Sequence, residues 1–221
     1  EALVGAPVTG SSGGVFTVNP DGSYSFDQAS AFEDLQSGET RATTLTYTLS
    51  DGNGGFATAE LTVTVTGVND IPLATALAPI TTVDSAPLAL NAASAFTDVD
   101  GDALQFSATN LPAGLSIDQT TGEITGIIDS SASQGGVGGV YTVTVLANDG
   151  NGGITGTTLI ITVTNPAPLA GDDNATTNED VAVTASVAGN DSDPDGDALT
   201  YATASGPANG TVVLDSSSGT Y

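Results

Sequence analysis

"VYTVTVLANDGNGGITGTTLIITVTN", Val140 to Asn165, is the stretch whose reading decides the fold. Either side of "DGNGG" is rich in Val, Ile, Thr and Tyr with apolar residues at every second position, the period of a half-buried β-strand. "DGNGG" itself supplies the Asp, Asn and Gly that tolerate positive φ in a tight connection, so the two runs form a hairpin. Much the same words stand earlier as "TLTYTLSDGNGGFATAELTVTVTG", Thr44 to Gly67. The offset is a little under one hundred residues, about the size of one β-sandwich domain.

A second motif repeats at nearly the same offset. "TDVDGDALQFS" around Gly101 returns within "NDSDPDGDALTY", Asn190 to Tyr201. Between the strand-like runs lie "NPDGS", "QTTGE" and "SSSGT", all turn formers. No window has a convincing helical period, although "QASAFEDLQSG" has room for one short helical turn. Proline-bearing linkers, "TGVNDIP" and "TNPAPLAGDD", follow each long alternating strand and set the boundaries. The expected organisation is all-β, a tandem array of Greek-key β-sandwiches: a partial domain over 1–70, a complete one over 71–165 and a partial one over 166–221. "EALVGAPVTGSSGGVFTVNPDGSYSF" resembles "YATASGPANGTVVLDSSSGTY" at the other end, so the outer pieces read as the later part of one repeat and the opening part of another.

The 221 residues include 26 acids and one base, Arg41, for a formal net charge of -25. Such a surface repels nucleic acid and anionic membranes and attracts cations. Cys, His, Trp, Met and Lys are absent. That removes disulfides, thiol chemistry, His-based zinc sites and His-dependent catalysis, and also Lys–Asn isopeptide cross-links. A glycosidase reading needs two acids across a cleft, and clustered Asp on repeated turns suits it poorly; the chain is expected not to be an enzyme. With no initiator Met, signal peptide or run of 18 apolar residues, it reads as an excised piece of a longer protein that does not insert in a membrane.

The acids are not evenly spread. Asp98 and Asp100, and again Asp193 and Asp195, stand in Asp-x-Asp spacing, which puts two carboxylates on one side of an extended or looped segment. Calcium takes six to eight oxygen ligands in flexible geometry, whereas magnesium demands a strict octahedron and holds its water, so this density of oxygens favours calcium. Asp102 and Asp197 either join the set or only cap the turn. An EF-hand competes through Asp191, Asp193, Asp195 and Gly196, but its bidentate Glu falls on Ala202 and the flanks are strand-like.

The order "FTDVDGDALQFS … GLSIDQTTGEITG … VYTVTVLANDGNGG … TLIITVTNPAP" resembles a bacterial cadherin-like repeat of the dystroglycan-type or immunoglobulin-like group. "NPDGSYSF" and "TYTLSDGNGG" resemble a VCBS-type repeat, and "GDDNATTNEDVAVTASVAGNDSDPDGDALTY" is similar to the tandem domains of giant RTX-type secreted adhesins. The resemblance implies calcium between consecutive domains. At the first junction it implies ligands from Asp34, linker residues Asn69 and Asp70, then Asp98, Asp100 and Asp149. At the second it implies Asp84 and Asp129, linker Asn165 with Asp172 or Asp173, Glu179 on a junction-facing strand, and Asp193 with Asp195. The linker departs from the cadherin pattern at Gly67 and Ile71, which implies fewer ions per junction. The function implied is a calcium-stiffened extender in a bacterial surface or secreted adhesin that serves adhesion or biofilm formation, outside the cell. Its partners would be calcium, neighbouring repeats and head-to-tail copies of itself. The competing readings are a polysaccharide- or cell-surface-binding module and an accessory domain of a large secreted enzyme.

Overall fold

The period-two runs of the first two thirds of the chain become strands in the computed structural model, which describes residues 5–221. In the first unit β1 (Pro7–Thr9), β2 (Val15–Val18) and β3 (Tyr24–Asp27) form an antiparallel sheet in that order. A long hairpin follows, β4 (Thr40–Ser50) and β5 (Phe56–Thr66), in register from Thr40↔Thr66 to Ser50↔Phe56. The core between hairpin and sheet is small: Phe16, Phe32, Leu35, Thr43 and Leu45 are buried. Phe26 bridges Phe16 and Phe32 with ring centroids 4.8 and 6.1 Å away. Thr43 reaches this apolar site because its hydroxyl donates to the Gly13 carbonyl at 2.8 Å, so no polar atom is stranded there.

The middle unit is a complete sandwich. Its strands are β6 (Leu73–Ala74), β7 (Ile80–Val83), β8 (Pro87–Asn91), β9 (Phe96–Thr97), β10 (Gln105–Thr109), β11 (Leu115–Ile117), β12 (Glu123–Ile127), β13 (Val140–Asn148) and β14 (Ile154–Thr164). One sheet has the order β10-β13-β14-β7 and the other β11-β12-β8, while β6 pairs with β9. All neighbours are antiparallel except β7, which runs parallel to β14. The alternation read in the sequence becomes the core: Tyr141, Val143, Val145 and Ala147 of β13 point inward with Leu159, Ile161 and Val163 of β14. They meet Ile124 of β12, Ile128 just past its end, and the Phe96–Phe106 pair, whose centroids are 5.8 Å apart. Each such aliphatic side chain contributes about 1.5–3 kcal/mol by leaving water, which is why this unit holds its shape on core packing.

Residues 165–221 form no strand. Two isolated bridges, Leu169↔Ser192 and Ser186↔Thr220, hold this region, and most of its side chains are exposed. The helical turn expected in "QASAFEDLQSG" is absent: the segment makes simple turns, with the Ala31 N–H on the Gln28 carbonyl and the Leu35 N–H on Phe32. Burial of Phe32 and Leu35 sets its path instead of a helical ladder. Short 3-10 turns occur at Ala93–Ala95 and Ala132–Gln134. Among the described residues no helix is long and apolar enough to cross a membrane.

Candidate metal centres

The loop after β9 runs Asp98-Val99-Asp100-Gly101-Asp102, and Gly101 takes a φ of 74° that lets it curl. Its curl brings one carboxylate oxygen from each of Asp98, Asp100 and Asp102 within 4.8 Å of the others. Asp100 is buried, and Asp98 and Asp102 are half-buried. Like charges at this separation repel unless something positive or proton-donating faces them.

Neighbouring segments meet part of that demand. The linker enters from β5, and the Asp70 N–H donates to Asp100 Oδ2 at 2.7 Å. The Asn151 amide, on the "DGNGG" turn between β13 and β14, donates to Asp102 Oδ2 at 2.7 Å. Asp98 Oδ1 accepts the N–H of Asp102 at 3.2 Å, inside the loop. From the first unit, Gln36 Nε2 donates to the Asp100 carbonyl at 3.3 Å.

Asp149 plays a different part. Its carboxylate is buried and accepts the Asn69 amide at 2.9 Å, the Asn151 N–H at 2.7 Å and the Gly153 N–H at 2.9 Å. These donors, Asn69 first, hold its pKa below the usual carboxylate value. Saturated in this way, Asp149 positions Asn69.

At this site three oxygens are buried with no hydrogen-bond partner among the described residues: Asn69 Oδ1, Asp98 Oδ2 and Asp100 Oδ1. Orphaned buried oxygens are costly and rare in folded proteins. Their chemistry is uniform: two carboxylates and an amide carbonyl, with no nitrogen or sulfur, the donor set of a hard cation. The residues present therefore fit calcium.

The second copy of the loop, Asp193 to Asp197, also gathers three carboxylate oxygens within 4.8 Å. Asp193 Oδ1 accepts the N–H groups of Asp195 at 3.1 Å and Asp197 at 3.3 Å. Both oxygens of Asp195 are buried and unpartnered by any donor among the described residues. The carboxyl of Asp195 is pushed up to about 6, first by the carboxylate of Asp193 beside it and then by burial and the charges of Asp193 and Asp197; Asp193 is lowered by the same contact.

The other residues named from the sequence separate into two sets. Asp84 lies at the far end of the middle unit, where its N–H bonds the Thr164 carbonyl at 3.1 Å. It is 3% exposed, with Oδ1 accepting the Ser133 N–H at 2.9 Å and Oδ2 without a partner. Asp129 opens the same turn but is exposed and caps it, accepting the Ser131 N–H at 2.9 Å and hydroxyl at 2.6 Å. Asn165, Asp172, Asp173 and Glu179 are exposed and joined to neither acidic cluster. Asp34 is also outside the first cluster: Arg41 clasps it through Nη1 to Oδ1 at 3.0 Å and Nη2 to Oδ2 at 2.8 Å. That guanidinium holds the Asp34 carboxyl below its ordinary value. Asp70 contributes its backbone N–H to the cluster.

Sequence reasoning passed over Gln36, Asn151 and Ser133, and left Asp102 and Asp197 undecided. The i, i+2, i+4 spacing of the three acids was the available signal for the last two. Nothing in the sequence pointed to Gln36, whose contact crosses a boundary between units.

Comparison with known proteins follows this division. The profile described as Bacterial Ig domain matches residues 2–64 and again 165–221, together more than half of the chain. Residues 71–166 match the profile described as "Putative Ig domain". Among solved structures, mouse cadherin-23 EC22-24 is 18% identical over 67% of this chain and 49% of that one, with a TM-score of 0.42. A protocadherin gammaB7 EC3-6 cis-dimer structure is 13% identical over 94% of this chain and 55% of that one, with a TM-score of 0.43. An endo-fucoidan hydrolase of glycoside hydrolase family 107 is 22% identical over 72% of this chain and 23% of that one, with a TM-score of 0.35. The chain spans from about a quarter to just over half the length of these structures. No curated protein matches it.

Proposed function

The chain belongs to the bacterial Ig domain family, and we propose that it is a calcium-binding extender segment of a bacterial surface or secreted adhesin, of the VCBS and RTX-type kind. The observation that carries this reading is the trio of buried, unpartnered oxygens Asn69 Oδ1, Asp98 Oδ2 and Asp100 Oδ1, which come from the linker and from the unit that follows it. Asn69, Asp98, Asp100 and Asp102 would hold the ion. Asp149 keeps the Asn69 amide in place, and the Asp70 N–H fixes Asp100. Calcium would supply the positive charge that a chain of formal charge -25 lacks.

Left to themselves, the three carboxylates repel one another, and a few hydrogen bonds, from Asn69 to Asp149 and from the Asp70 N–H to Asp100, hold the linker to the loop. Shared coordination adds to that hold. At the second junction the same role falls to Asp84 with the loop of Asp193 and Asp195, supported by Asp84 Oδ2 and both Asp195 oxygens lacking donors.

Extracellular calcium modules bind with Kd of about 10⁻⁴ to 10⁻³ M, so millimolar calcium outside a cell would fill these sites and cytosolic calcium would not. At one hundred times Kd each ion adds about 2.7 kcal/mol to the bound arrangement. The reading assigns the chain no catalytic residue; its work is to hold a distance, in the service of adhesion or biofilm formation by another part of the parent protein. Small-angle scattering during a calcium titration, with magnesium as control, tests it. An extender lengthens and narrows its distribution of shapes as calcium rises; an unchanged profile from chelator to millimolar calcium would sink the reading.

A further inference from the structure

The segment between β3 and β4 lies against the first junction. The Gly38 N–H donates to the Gly67 carbonyl at 3.1 Å and the Gly67 N–H to the Glu39 carbonyl at 2.8 Å, so the linker leaves β5 pinned to this segment. The fit is close: a Cβ at Gly67 would overlap the Leu35 and Gln36 carbonyls. From the same segment the Gln36 amide crosses to the Asp100 carbonyl at 3.3 Å. Acids crowd here as they crowd the loop beyond. Glu33, Asp34 and Glu39 stand close together in sequence and all are exposed.

This segment has what the Asp98–Asp102 loop lacks, a cation of its own. Arg41, near the start of β4, turns its guanidinium back onto Asp34 and grips both carboxylate oxygens, Nη1 to Oδ1 at 3.0 Å and Nη2 to Oδ2 at 2.8 Å. Its path is set by the buried Phe32 ring, whose centre lies 6.0 Å from the guanidinium carbon. The hydrogen bond to Asp34, and then the charges of Asp34 and Glu39, raise the Arg41 pKa above its ordinary value. Asp34 therefore has no oxygen without a donor, whereas Asp98 and Asp100 each keep one. Without Arg41, Asp34 and Glu39 would share this segment with no positive side chain among the 221 residues to meet them.

We propose that Arg41 sets how many divalent ions the first junction takes: its guanidinium, tethered to the fold, occupies the place on Asp34 that a cation from solution would otherwise fill. Two parallel N–H groups on two carboxylate oxygens match the bidentate grip of an ion, which a point charge on a flexible stem does not reproduce. A tethered cation is also beyond the reach of chelator. The first unit's side of the junction stays neutralised when calcium is withdrawn, and calcium dependence is confined to the linker and the Asp98–Asp102 loop. The inference rests on the calcium reading for the identity of the ion; it does not need Asp98 and Asp100 to be occupied.

Equilibrium dialysis of calcium against the full chain counts the ions. Arg41→Gln is expected to bind one calcium more per chain than wild type, and Arg41→Gln combined with Asp34→Asn to return to the wild-type count. Arg41→Lys keeps a positive charge beside Asp34 and is expected to keep the wild-type count, which separates lost charge from lost packing on Phe32. Asp34→Asn alone is the variant least able to disturb folding, since its side chain is 61% exposed. Its oxygens are already taken in the wild type, so its calcium affinity should stay within about tenfold of wild type. An Arg41→Gln count equal to wild type overturns the proposal, as does an extra ion that persists in the double variant or appears in Arg41→Lys, or a larger loss of affinity in Asp34→Asn. The count is a difference between variant and wild type. A wild-type chain that binds no calcium would sink the junction reading and leave this comparison standing.

Discussion

The same acidic loop occurs twice, and its two copies differ in their company. Asp98–Asp102 sits against the linker, the "DGNGG" turn and Gln36 of the preceding unit, and each contributes an N–H. Asp193–Asp197 has donors to Asp193 from its own backbone, and none reaches the oxygens of Asp195. In the first copy outside donors leave one oxygen each on Asp98 and Asp100 unmet; in the second, the neighbouring Asp193 carboxylate pushes the Asp195 carboxyl up to about 6. A short motif therefore fixes where three carboxylates converge, while segments distant in sequence decide how their charge is balanced.

The largest expected effect sets the first loop against the second. Asp100→Asn removes one of the two buried charges of the orphaned trio and should weaken calcium binding at the first junction about 100-fold, or about 2.7 kcal/mol. Isothermal titration in decalcified buffer checks it; binding as tight as wild type would erase the distinction between the loops. Next in size is Gly153→Ala, whose new Cβ collides with the Asp149 carboxylate and stands 3.0 Å from Ile71 Cα in the linker. Denaturant unfolding should show a loss of about 1–3 kcal/mol. The matching Gly55→Ala meets only the side chain of Asp51, on an exposed turn without a linker behind it, and should cost under about 1 kcal/mol.

Asn69→Ala removes the side-chain amide that donates to Asp149 at 2.9 Å and should cost about 1 kcal/mol in chelator. Because the folded pKa of Asp149 is depressed, its contribution is present above the ordinary carboxylate value and is lost as pH falls through the folded one. The variant raises that folded pKa, which carboxyl-carbon NMR reads directly. The smallest effect belongs to Asp195, and its sign is opposite. Its pKa is raised to about 6, so charging it works against the apo loop as pH rises through that value, and a proton competes with calcium below it. Calcium affinity at the second loop should decline from neutral pH to about pH 5, and Asp195→Asn should flatten that decline.

Strands were legible because a two-residue period, once started, admits one way of burying its apolar face, as β13 and β14 show. The acidic loops were legible because Gly101 and Gly196 mark the curl, with φ of 74° and 87°. Residues 165–221 carry the same strand words yet form no strand, since pairing needs a partner that periodicity does not supply. Among the ligands implied by family resemblance, Asp34 is claimed by the one base in the chain, a pairing seven residues apart that depends on how β4 packs. Asp149 was assigned as a ligand and turns out to be saturated by N–H donors. Whether an acid keeps a free oxygen is set by which backbone amides surround it, and those belong to other elements.

The parallel pairing of β7 with β14 bears on how the middle unit responds to being pulled. β7 begins and β14 ends at opposite ends of this pair, so once the short β6–β9 pairing has parted, tension between neighbouring units drags these two strands in opposite directions along their length. Their hydrogen bonds are then strained all at once in shear, whereas an antiparallel pair tugged from one end would open bond by bond like a zip. A segment built in this way gives way at a high load.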